Sequence, residues 1–206
     1  MGLDSRELTF EEESHTYRLD GEIIPSVSQI IDAAGYWGEK KGSFAPGAAE
    51  KGRRIHQAIE LLNLKQLDWK QIEGTGYEPY LRGYEMWRTD WRPEIREIEC
   101  RLVGECHGVV YAGTVDLIAD VRGALQILDV KTGRQYPKPY RAQLGGYMIA
   151  YQQERERKVD GLAGLHVNDK GRYQLKRYKP NEAEASFEYA CGIWKMMQEE
   201  KKSDVA

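Results

Sequence analysis

The chain has 206 residues, of which 41% are hydrophobic and 31% are charged, and its formal net charge is −3. This length supports a sizeable core, so we expect a single domain over residues 1–206, and no apolar run approaches the roughly 20 residues of a membrane span. The small negative charge argues against a protein that coats nucleic acid through charge alone.

The N-terminal segment predicts a β-hairpin followed by a short helix. Asp20-Gly21 is a turn dipeptide, and it indicates a hairpin from Leu8 to Ile24. Ser26 is a typical N-cap residue, because its hydroxyl can accept a hydrogen bond from a backbone N–H of the first helical turn. We expect that helix to end near Ala34.

A helical pattern from about Ala48 to Leu62 carries the first candidate functional residues. Its apolar stripe includes Ile55 and Ile59, while His56 and Glu60 stand at i and i+4 on a neighbouring face. A neutral imidazole can add a nitrogen ligand to an oxygen-rich magnesium or manganese site. A helical histidine can equally be a surface or core residue, so this helix alone leaves both interpretations open.

The segment from residue 77 to residue 103 predicts a second helix and a strand. Large side chains recur at helical spacing before Pro93 ends the pattern; they are Tyr77, Tyr80, Leu81, Tyr84 and Trp87. This row can pack against a sheet or form a stacking surface for unpaired bases. In the strand from Arg96 to Val103, alternation places Glu97 and Glu99 on one face.

Two adjacent strands carry the most informative residues. Residues 111–121 and 124–131 are rich in Val, Leu and Ile, and the two-residue turn between them indicates an antiparallel hairpin. Alternation puts Asp129 and Lys131 side by side. Asp116 lies mid-strand, where a carboxylate buried without a partner is costly and requires a cation, hydrogen bonds or water. Two acids and an amine suit a magnesium-dependent phosphodiester hydrolase, and a salt bridge on a solvated face is the alternative.

The remaining chain predicts a helix, a hairpin and a last helix. In the helix from about Pro139 to Glu156, Gln143 and Tyr147 stand one turn apart, although a tyrosine stripe there can also belong to the core. The later elements are strands near residues 161–167 and 172–178 and a helix from Glu182 to about Lys201.

Four short motifs follow one another along the chain. They are Gly52-x-x-x-His56, Gly113-x-x-Asp116, Asp129-x-Lys131-Thr-Gly133 and Gln143-x-x-x-Tyr147. This ordered set resembles the RecB-type branch of the PD-(D/E)XK nuclease superfamily. Residues 17–28 are similar to the opening of mitochondrial genome maintenance exonuclease and its phage relatives, so the resemblance covers roughly residues 8–155.

The resemblance implies a restriction-endonuclease-like α/β fold with a central mixed β-sheet flanked by helices. Residues 8–34 would form an N-terminal β-hairpin and helix, residues 47–155 the catalytic core, and residues 160–202 a C-terminal hairpin and helix. All three segments would belong to one nuclease domain.

Carried over position by position, the resemblance also implies a site for Mg²⁺ or Mn²⁺. Its ligands would be His56, Asp116 and Asp129, with the Val130 carbonyl as a further one. An ion there can lower the pKa of a bound water and stabilise the leaving oxygen of a phosphodiester.

The resemblance implies catalytic roles for further side chains. Lys131 would orient or help to deprotonate the attacking water, while Gln143 and Tyr147 would support the site or contact the DNA backbone. Some members of the superfamily use an extra glutamate, for which Glu60 and Glu99 are the candidates.

Basic residues flank the predicted site in the sequence. They are Lys40, Lys41, Lys51, Arg53 and Arg54 near His56, and Arg134, Lys138 and Arg141 after the metal-binding strand. Such residues would bind DNA phosphates without base contacts, so binding should weaken with salt and depend little on sequence. The alternative is that they are ordinary surface charge.

The cysteines exclude one subclass of related nucleases. Cys100, Cys106 and Cys191 are fewer than the four thiolates of an all-cysteine iron–sulfur cluster, so we expect no iron–sulfur cluster. The chain also lacks a Cys-x-x-Cys pair, which argues against structural zinc. We expect three free thiols in a reducing compartment.

The function favoured by these observations is metal-dependent hydrolysis of DNA. The resemblance implies an exonuclease that acts on single-stranded ends in phage or bacterial recombination, repair or replication, with a recombination or single-strand-binding protein as a partner. An endonuclease or flap nuclease of the same fold, and a catalytically inactive DNA-binding protein, remain open. Since no signal peptide precedes Leu8, we expect a cytoplasmic location in a bacterium or phage-infected cell.

Overall fold

The computed structural model describes residues 6–38, 47–133 and 135–203. Within these ranges the strands are β1 (Leu8–Glu11), β2 (Thr16–Leu19), β3 (Glu22–Ile24), β4 (Glu94–Cys106), β5 (Val109–Val121), β6 (Ala124–Lys131), β7 (Gly161–Val167) and β8 (Tyr173–Tyr178). The α-helices are α1 (Val27–Ala33), α2 (Ala48–Asn63), α3 (Glu78–Trp91), α4 (Pro137–Arg155) and α5 (Pro180–Ser203), and a short 3-10 helix spans Trp69–Gln71. None of the described helices combines the length and apolarity that a membrane crossing requires.

A central five-stranded sheet has the order β4-β5-β6-β7-β8. Its neighbours pair antiparallel except for β6 and β7, which run parallel and are connected through α4. A parallel pair needs such a crossover, because a tight turn cannot join two strands that run in the same direction. With helices on both faces, the predicted α/β fold with a central mixed sheet is confirmed.

The N-terminal hairpin is confirmed, and it contains a third strand. The Asp20-Gly21 turn joins β2 to β3, and a second turn over residues 12–15 joins β1 to β2. Ser26 caps α1 as predicted, since its hydroxyl accepts a hydrogen bond from the Gln29 N–H at 3.1 Å. The second turn was missed because its polar run lacks the glycine that marks the first.

The side chains of β6 show that the sheet separates two apolar layers. Ile127 packs in the layer of α1, α4 and α5, whereas Leu128 packs in the layer of α2 and α3. The predicted alternation along this strand is therefore confirmed. Tyr84 and Trp87 of α3 are 0% exposed in the second layer, so these two rings are core residues and the base-stacking interpretation is wrong for them.

Strands β5 and β6 part where the predicted site lies. Their ladder ends at the pair Leu117–Leu128, while β5 continues beside β4 and β6 continues beside β7. Beyond that pair, the Asp116 Oδ2 atom accepts a hydrogen bond of 2.5 Å from the Val130 N–H. Asp116 thus takes the place of a strand carbonyl as acceptor, and side chains from both layers can enter the opening.

Helices α4 and α5 pack closely because α4 carries glycine at their contact. A Cβ atom on Gly145 would lie 2.0 Å from the Ala183 carbonyl oxygen. Gly145 lies between Gln143 and Tyr147, so one turn of α4 contacts α5 with one face and carries two predicted site residues on another.

We expect Gly145→Ala to lower the free energy of unfolding by about 3 kcal/mol, because backbone atoms of two helices must move apart to admit the methyl group. For a chain of this size that loss corresponds to a fall in melting temperature of about 6–12 °C. Thermal unfolding monitored by circular dichroism measures the change.

Gly192→Ala is the matched control, because a Cβ atom on this α5 glycine has no neighbouring atom within 4 Å. Alanine is the better helix former, so this variant should gain about 0.5–1 kcal/mol. If both variants lost the same stability, close packing at Gly145 would not be the cause.

Candidate active site

Helix α2 brings His56 to the opening between β5 and β6. Ile55 and Ile59 of α2 are buried against the sheet, and this packing fixes the direction in which the neighbouring His56 points. Its Nδ1 atom lies 3.5 Å from Asp116 Oδ1 and 3.9 Å from Glu99 Oε1. An imidazole nitrogen and two carboxylates from three elements therefore meet at one point.

Glu99 reaches this point through an irregularity in β4. The register shifts between Ile95 and Glu97, and Glu99 itself has a left-handed φ of 47°. Its carboxylate faces His56, whereas the Glu97 carboxylate accepts a hydrogen bond of 3.2 Å from Arg155 of α4. The prediction that Glu97 and Glu99 share one face is wrong, because the left-handed residue interrupts strict alternation.

The donor atoms of His56, Glu99 and Asp116 all lie within 4.8 Å of one another. Carboxylate oxygens and an imidazole nitrogen are a suitable donor set for Mg²⁺ or Mn²⁺. The residues therefore fit a divalent cation. Within the described part of the chain, the third member of this group is Glu99, whereas the sequence predicted Asp129 as the third ligand.

Asp129 is 2% exposed and is paired with the Lys131 ammonium. The two side chains lie together, as alternation along β6 predicted, but the burial of Asp129 excludes a salt bridge on a solvated face. Asp129 lies close enough to Glu99 to raise the pKa of that carboxyl. Asp129 thus lies beside the group of His56, Glu99 and Asp116, while its own ion-pair partner is the Lys131 amine.

Side chains of α4 hold the Lys131 amine from the opposite layer. Lys131 Nζ donates to Gln143 Oε1 at 3.1 Å, and Gln143 Nε2 donates to the Tyr147 hydroxyl at 2.9 Å. The Tyr140 ring centroid lies 4.5 Å from Nζ, within cation–π range. Residues one turn apart on one helix therefore orient the amine, and the motif residues Gln143 and Tyr147 reach the site through it.

The acidic groups of the site are not all ionised near neutral pH, because burial and their mutual repulsion raise two of their pKa values. Burial and the charge of Asp116 raise the pKa of Glu99 to about 8, and burial raises the pKa of Asp129 to about 6. Burial alone would lower the pKa of His56, but Asp116 and Glu99 raise it to about 9. Burial alone would raise the pKa of Asp116, but His56 holds it below its usual value. Protons therefore supply the positive charge that a divalent cation would supply when bound.

The other predicted site residues lie around this cluster. Glu60 stands one turn after His56 and also raises the pKa of Glu99. The Val130 side chain is buried in the core, and its N–H bonds to Asp116. Both positions are compatible with the predicted neighbourhood.

The basic residues fall into two groups. Lys51 donates to the Tyr80 hydroxyl at 2.8 Å beside the site, and Lys138 is exposed at the start of α4. Arg53 and Arg54 pair with Glu50, and Arg141 lies 4.0 Å from Glu182. Lys40, Lys41 and Arg134 lie outside the described residues.

Two neighbours of Lys131 received no role from the sequence. Tyr140 contacts the amine, and its ring centroid is 5.9 Å from that of His166, which pairs with Lys131 across β6 and β7. The spacing of Tyr140, three residues before Gln143, was a usable signal for the first. Nothing local marks His166, because its position depends on which strand pairs with β6.

Comparison with known proteins identifies one family over more than half of the chain. A family description of the PD-(D/E)XK nuclease superfamily matches residues 77–204, which include Glu99, Asp116 and Asp129. No curated protein matches the chain.

Three solved structures resemble the chain at low sequence identity. A candidate exonuclease from Eubacterium rectale has a TM-score of 0.54 at 14% identity, covering 81% of this chain and 77% of its own. SSO0001 has a TM-score of 0.43 at 14% identity, with 82% and 73% covered. The alkaline exonuclease LHK-Exo from Laribacter hongkongensis has a TM-score of 0.41 at 11% identity, with 89% and 95% covered. The first of these similarities shows a shared fold.

We expect Mg²⁺ to stabilise the protein increasingly as pH rises. Glu99 and His56 have raised pKa values in the folded chain, so their contribution to stability is present at low pH and is lost as pH rises through about 8 and about 9. Fewer protons then compete with the cation. At a Mg²⁺ concentration of about one hundred times the dissociation constant at pH 8.5, the Mg²⁺-induced rise in melting temperature should be about 5–10 °C. The same Mg²⁺ concentration should give a smaller rise near pH 6.

Glu99→Gln should remove most of this rise, because it neutralises one donor of the group. Glu97→Gln is the matched control, since Glu97 lies two residues away and contacts Arg155 instead. Differential scanning calorimetry with Mg²⁺ or EDTA measures both. Equal Mg²⁺-induced rises in the two variants would remove Glu99 from the ligand set.

Proposed function

The chain belongs to the PD-(D/E)XK nuclease superfamily, and on that basis we propose that it is a deoxyribonuclease dependent on Mg²⁺ or Mn²⁺. The observation that carries the proposal is the group His56, Glu99 and Asp116, whose donor atoms lie within 4.8 Å of one another. The Lys131 amine and the buried Asp129 complete the site beside this group. A cation-binding group next to a held amine suits hydrolysis of a phosphodiester.

In this proposal His56, Glu99 and Asp116 hold the cation, with Asp129 close by. The cation would supply Lewis-acid stabilisation of negative charge at phosphate oxygens and a lowered pKa of water. Asp116 also holds the two strands in place through the Val130 N–H. The same carboxylate therefore has a structural and a metal-binding task.

Lys131 is proposed to orient the attacking water or to help deprotonate it. Its amine is held between the Asp129 carboxylate and Gln143 Oε1, so its reach into the site is restricted. Restriction of this kind lowers the entropic cost of placing a proton-transfer group correctly. Gln143 and Tyr147 are positioning residues, because they act on the substrate through Lys131.

DNA phosphates would be bound by basic side chains around the opening. Lys51 is held beside the site by Tyr80, and Lys138 is exposed at the start of α4. Contacts of this type carry no base information and weaken with salt. Arg53 and Arg54 already pair with Glu50, so we propose a smaller part for them.

The exonuclease mode, the preference for single-stranded ends and the RecB-type branch rest on the four ordered motifs. We propose a role in phage or bacterial recombination, repair or replication in the cytoplasm, beside a recombination or single-strand-binding protein, and we propose one domain over residues 1–206. An endonuclease or flap nuclease of the same fold would use the same residues.

The first test incubates end-labelled single-stranded, duplex and circular DNA with Mg²⁺, Mn²⁺ or EDTA. We expect cleavage of linear single strands in metal, none in EDTA, and intact circles. Asp116→Asn should reduce the rate about a thousandfold or more, because it removes a charge that holds the cation. Gel analysis of the labelled products measures the rates.

Asp120→Asn is the matched control, since Asp120 lies on the same strand and pairs with Arg96 at 2.9 Å. It should cleave at nearly the wild-type rate. Cutting of circles would establish the endonuclease alternative. A wild type that cuts nothing in either metal would leave a catalytically inactive DNA-binding protein as the better account.

Lys131→Ala should lower the cleavage rate about 10²–10⁴-fold between about pH 7 and pH 9, because a positioned proton-transfer group contributes on that order. Lys138→Ala, which removes an exposed lysine of the same region, should change the rate only through DNA affinity. Single-turnover rates at saturating DNA separate the two effects. Near-wild-type turnover of Lys131→Ala would show that the proposed role is wrong.

A further inference from the structure

A cavity of about 300 Å³ opens beside Lys131, at the ends of the parallel strands β6 and β7. The side chains that matter for its chemistry are those of Tyr80, Thr132, Gln135, His166, Asn168 and Gln174. They are amides, hydroxyls and an imidazole, contributed by α3, the segment after β6, β7, and the β7–β8 hairpin. Apart from Tyr80, which accepts the hydrogen bond of Lys51, none of them has a role in the hydrolysis proposed above.

His166 is the residue that indicates a ligand. It is 7% exposed, and neither ring nitrogen has a hydrogen-bond partner among the described residues. A buried polar group without a partner loses its interactions with water and gains nothing in return. Its presence in a strand that is otherwise apolar is therefore unfavourable for folding and suits a residue kept for binding.

The lining favours a neutral ligand with hydrogen-bonding groups. Burial and the nearby Lys131 lower the pKa of His166 to about 4, so its imidazole is uncharged near neutral pH. Gln135 and Gln174 contact each other at 2.6 Å and offer further amide groups, and the Asp169 carboxylate also lines the cavity. The described lining residues include this carboxylate and no cation, and the Lys51 ammonium near Tyr80 already donates to the Tyr80 hydroxyl. A neutral group therefore suits the lining better than a phosphate.

The cavity lies next to the proposed scissile position. Thr132 follows Lys131 directly and His166 pairs with Lys131 across the sheet. Since strands advance about 3.3 Å per residue, the cavity begins within one or two residue lengths of the Lys131 backbone. The centroid of the Tyr140 ring lies 4.5 Å from the Lys131 ammonium and 5.9 Å from the centroid of the His166 ring. A nucleotide adjacent to the bound phosphate can therefore reach it.

We propose that this cavity binds one unpaired nucleobase of the DNA substrate, with His166 and the amides of Gln135 and Gln174 bonding to its edge. The inference rests on the proposed function and adds to it a reason for a single-stranded substrate. A base inside a duplex must leave its stack and its partner before it can enter a pocket of this kind. An unpaired strand meets no such cost.

The test is an abasic scan of DNA binding in EDTA, so that no cleavage occurs. Fluorescence anisotropy measures the affinity of wild-type protein for a set of single-stranded oligonucleotides, each with one abasic nucleotide at a different distance from the end. We expect the affinity to fall about tenfold for one position and by less than about twofold elsewhere, since one stacked and bonded base contributes on that order.

His166→Leu should weaken binding of the intact strand about tenfold. It should also abolish the position-specific fall in affinity, because the substitution and the abasic nucleotide each remove the same contact. Its melting temperature should not fall, since leucine removes two unpartnered nitrogens and keeps the apolar volume. Gln174→Leu should reduce the position-specific fall in affinity in the same way, and it carries no risk to folding because Gln174 is exposed. Gln71→Leu, which replaces an exposed glutamine outside the cavity, should leave the profile unchanged.

A flat abasic profile, an absence of DNA binding, or a loss that persists in His166→Leu and Gln174→Leu would overturn the base pocket. Cleavage assays distinguish this result from a failure of the proposed function. A protein that cuts DNA in Mg²⁺ with a flat profile remains a nuclease without this pocket. A position-specific loss in a protein that cuts nothing supports the pocket in a DNA-binding protein.

Discussion

The site depends on the hydrogen bond from the Val130 N–H to the Asp116 carboxylate. At this point the pairing of β6 with β5 has ended while its pairing with β7 continues, and a strand N–H on the β5 side loses its ladder acceptor. A buried N–H without a partner would cost about 1–3 kcal/mol. Asp116 satisfies it from the neighbouring strand, so the sheet can open without an orphaned donor. The opening is what allows His56 from one layer and Gln143 from the other to approach the same two strands.

The Asp116 carboxylate satisfies the Val130 N–H, but it also places a buried negative charge close to other carboxylates. Asp116 lies near Glu99 and Asp129, and the pKa values of both neighbours are raised by burial and by the Asp116 charge. Positive charge must enter the opening, and the chain provides His56 and Lys131 on opposite sides of it. A bound divalent cation would relieve the same repulsion. In this way the architecture that separates β5 from β6 would also favour the binding of a cation.

Much of this arrangement was predictable where contacts are local. Asp129 beside Lys131 follows from strand alternation, and Gln143 near Tyr147 follows from the helical repeat. The contact of Glu99 with His56 was not predictable. The direction of the Glu99 side chain depends on a register shift in β4 and on the left-handed backbone of Glu99, and simple strand alternation includes neither. His166 lay beyond local reasoning altogether, since its neighbour Lys131 is thirty-five residues earlier and becomes adjacent only through the parallel pairing of β6 with β7.

Two sets of polar groups that oppose folding lie near Lys131 among the described residues. On one side are carboxylates held partly protonated, and on the other is a buried imidazole whose nitrogens lack partners among the described residues. A domain has about 5–15 kcal/mol of net stability, so unfavourable polar burial at two adjacent places is a considerable cost. A divalent cation would relieve the first cost, and a neutral hydrogen-bonding group would relieve the second. A nucleotide in a single strand has a phosphate that such a cation can hold and a neutral base beside it, which links the proposed chemistry at Asp116 to the proposed recognition at His166.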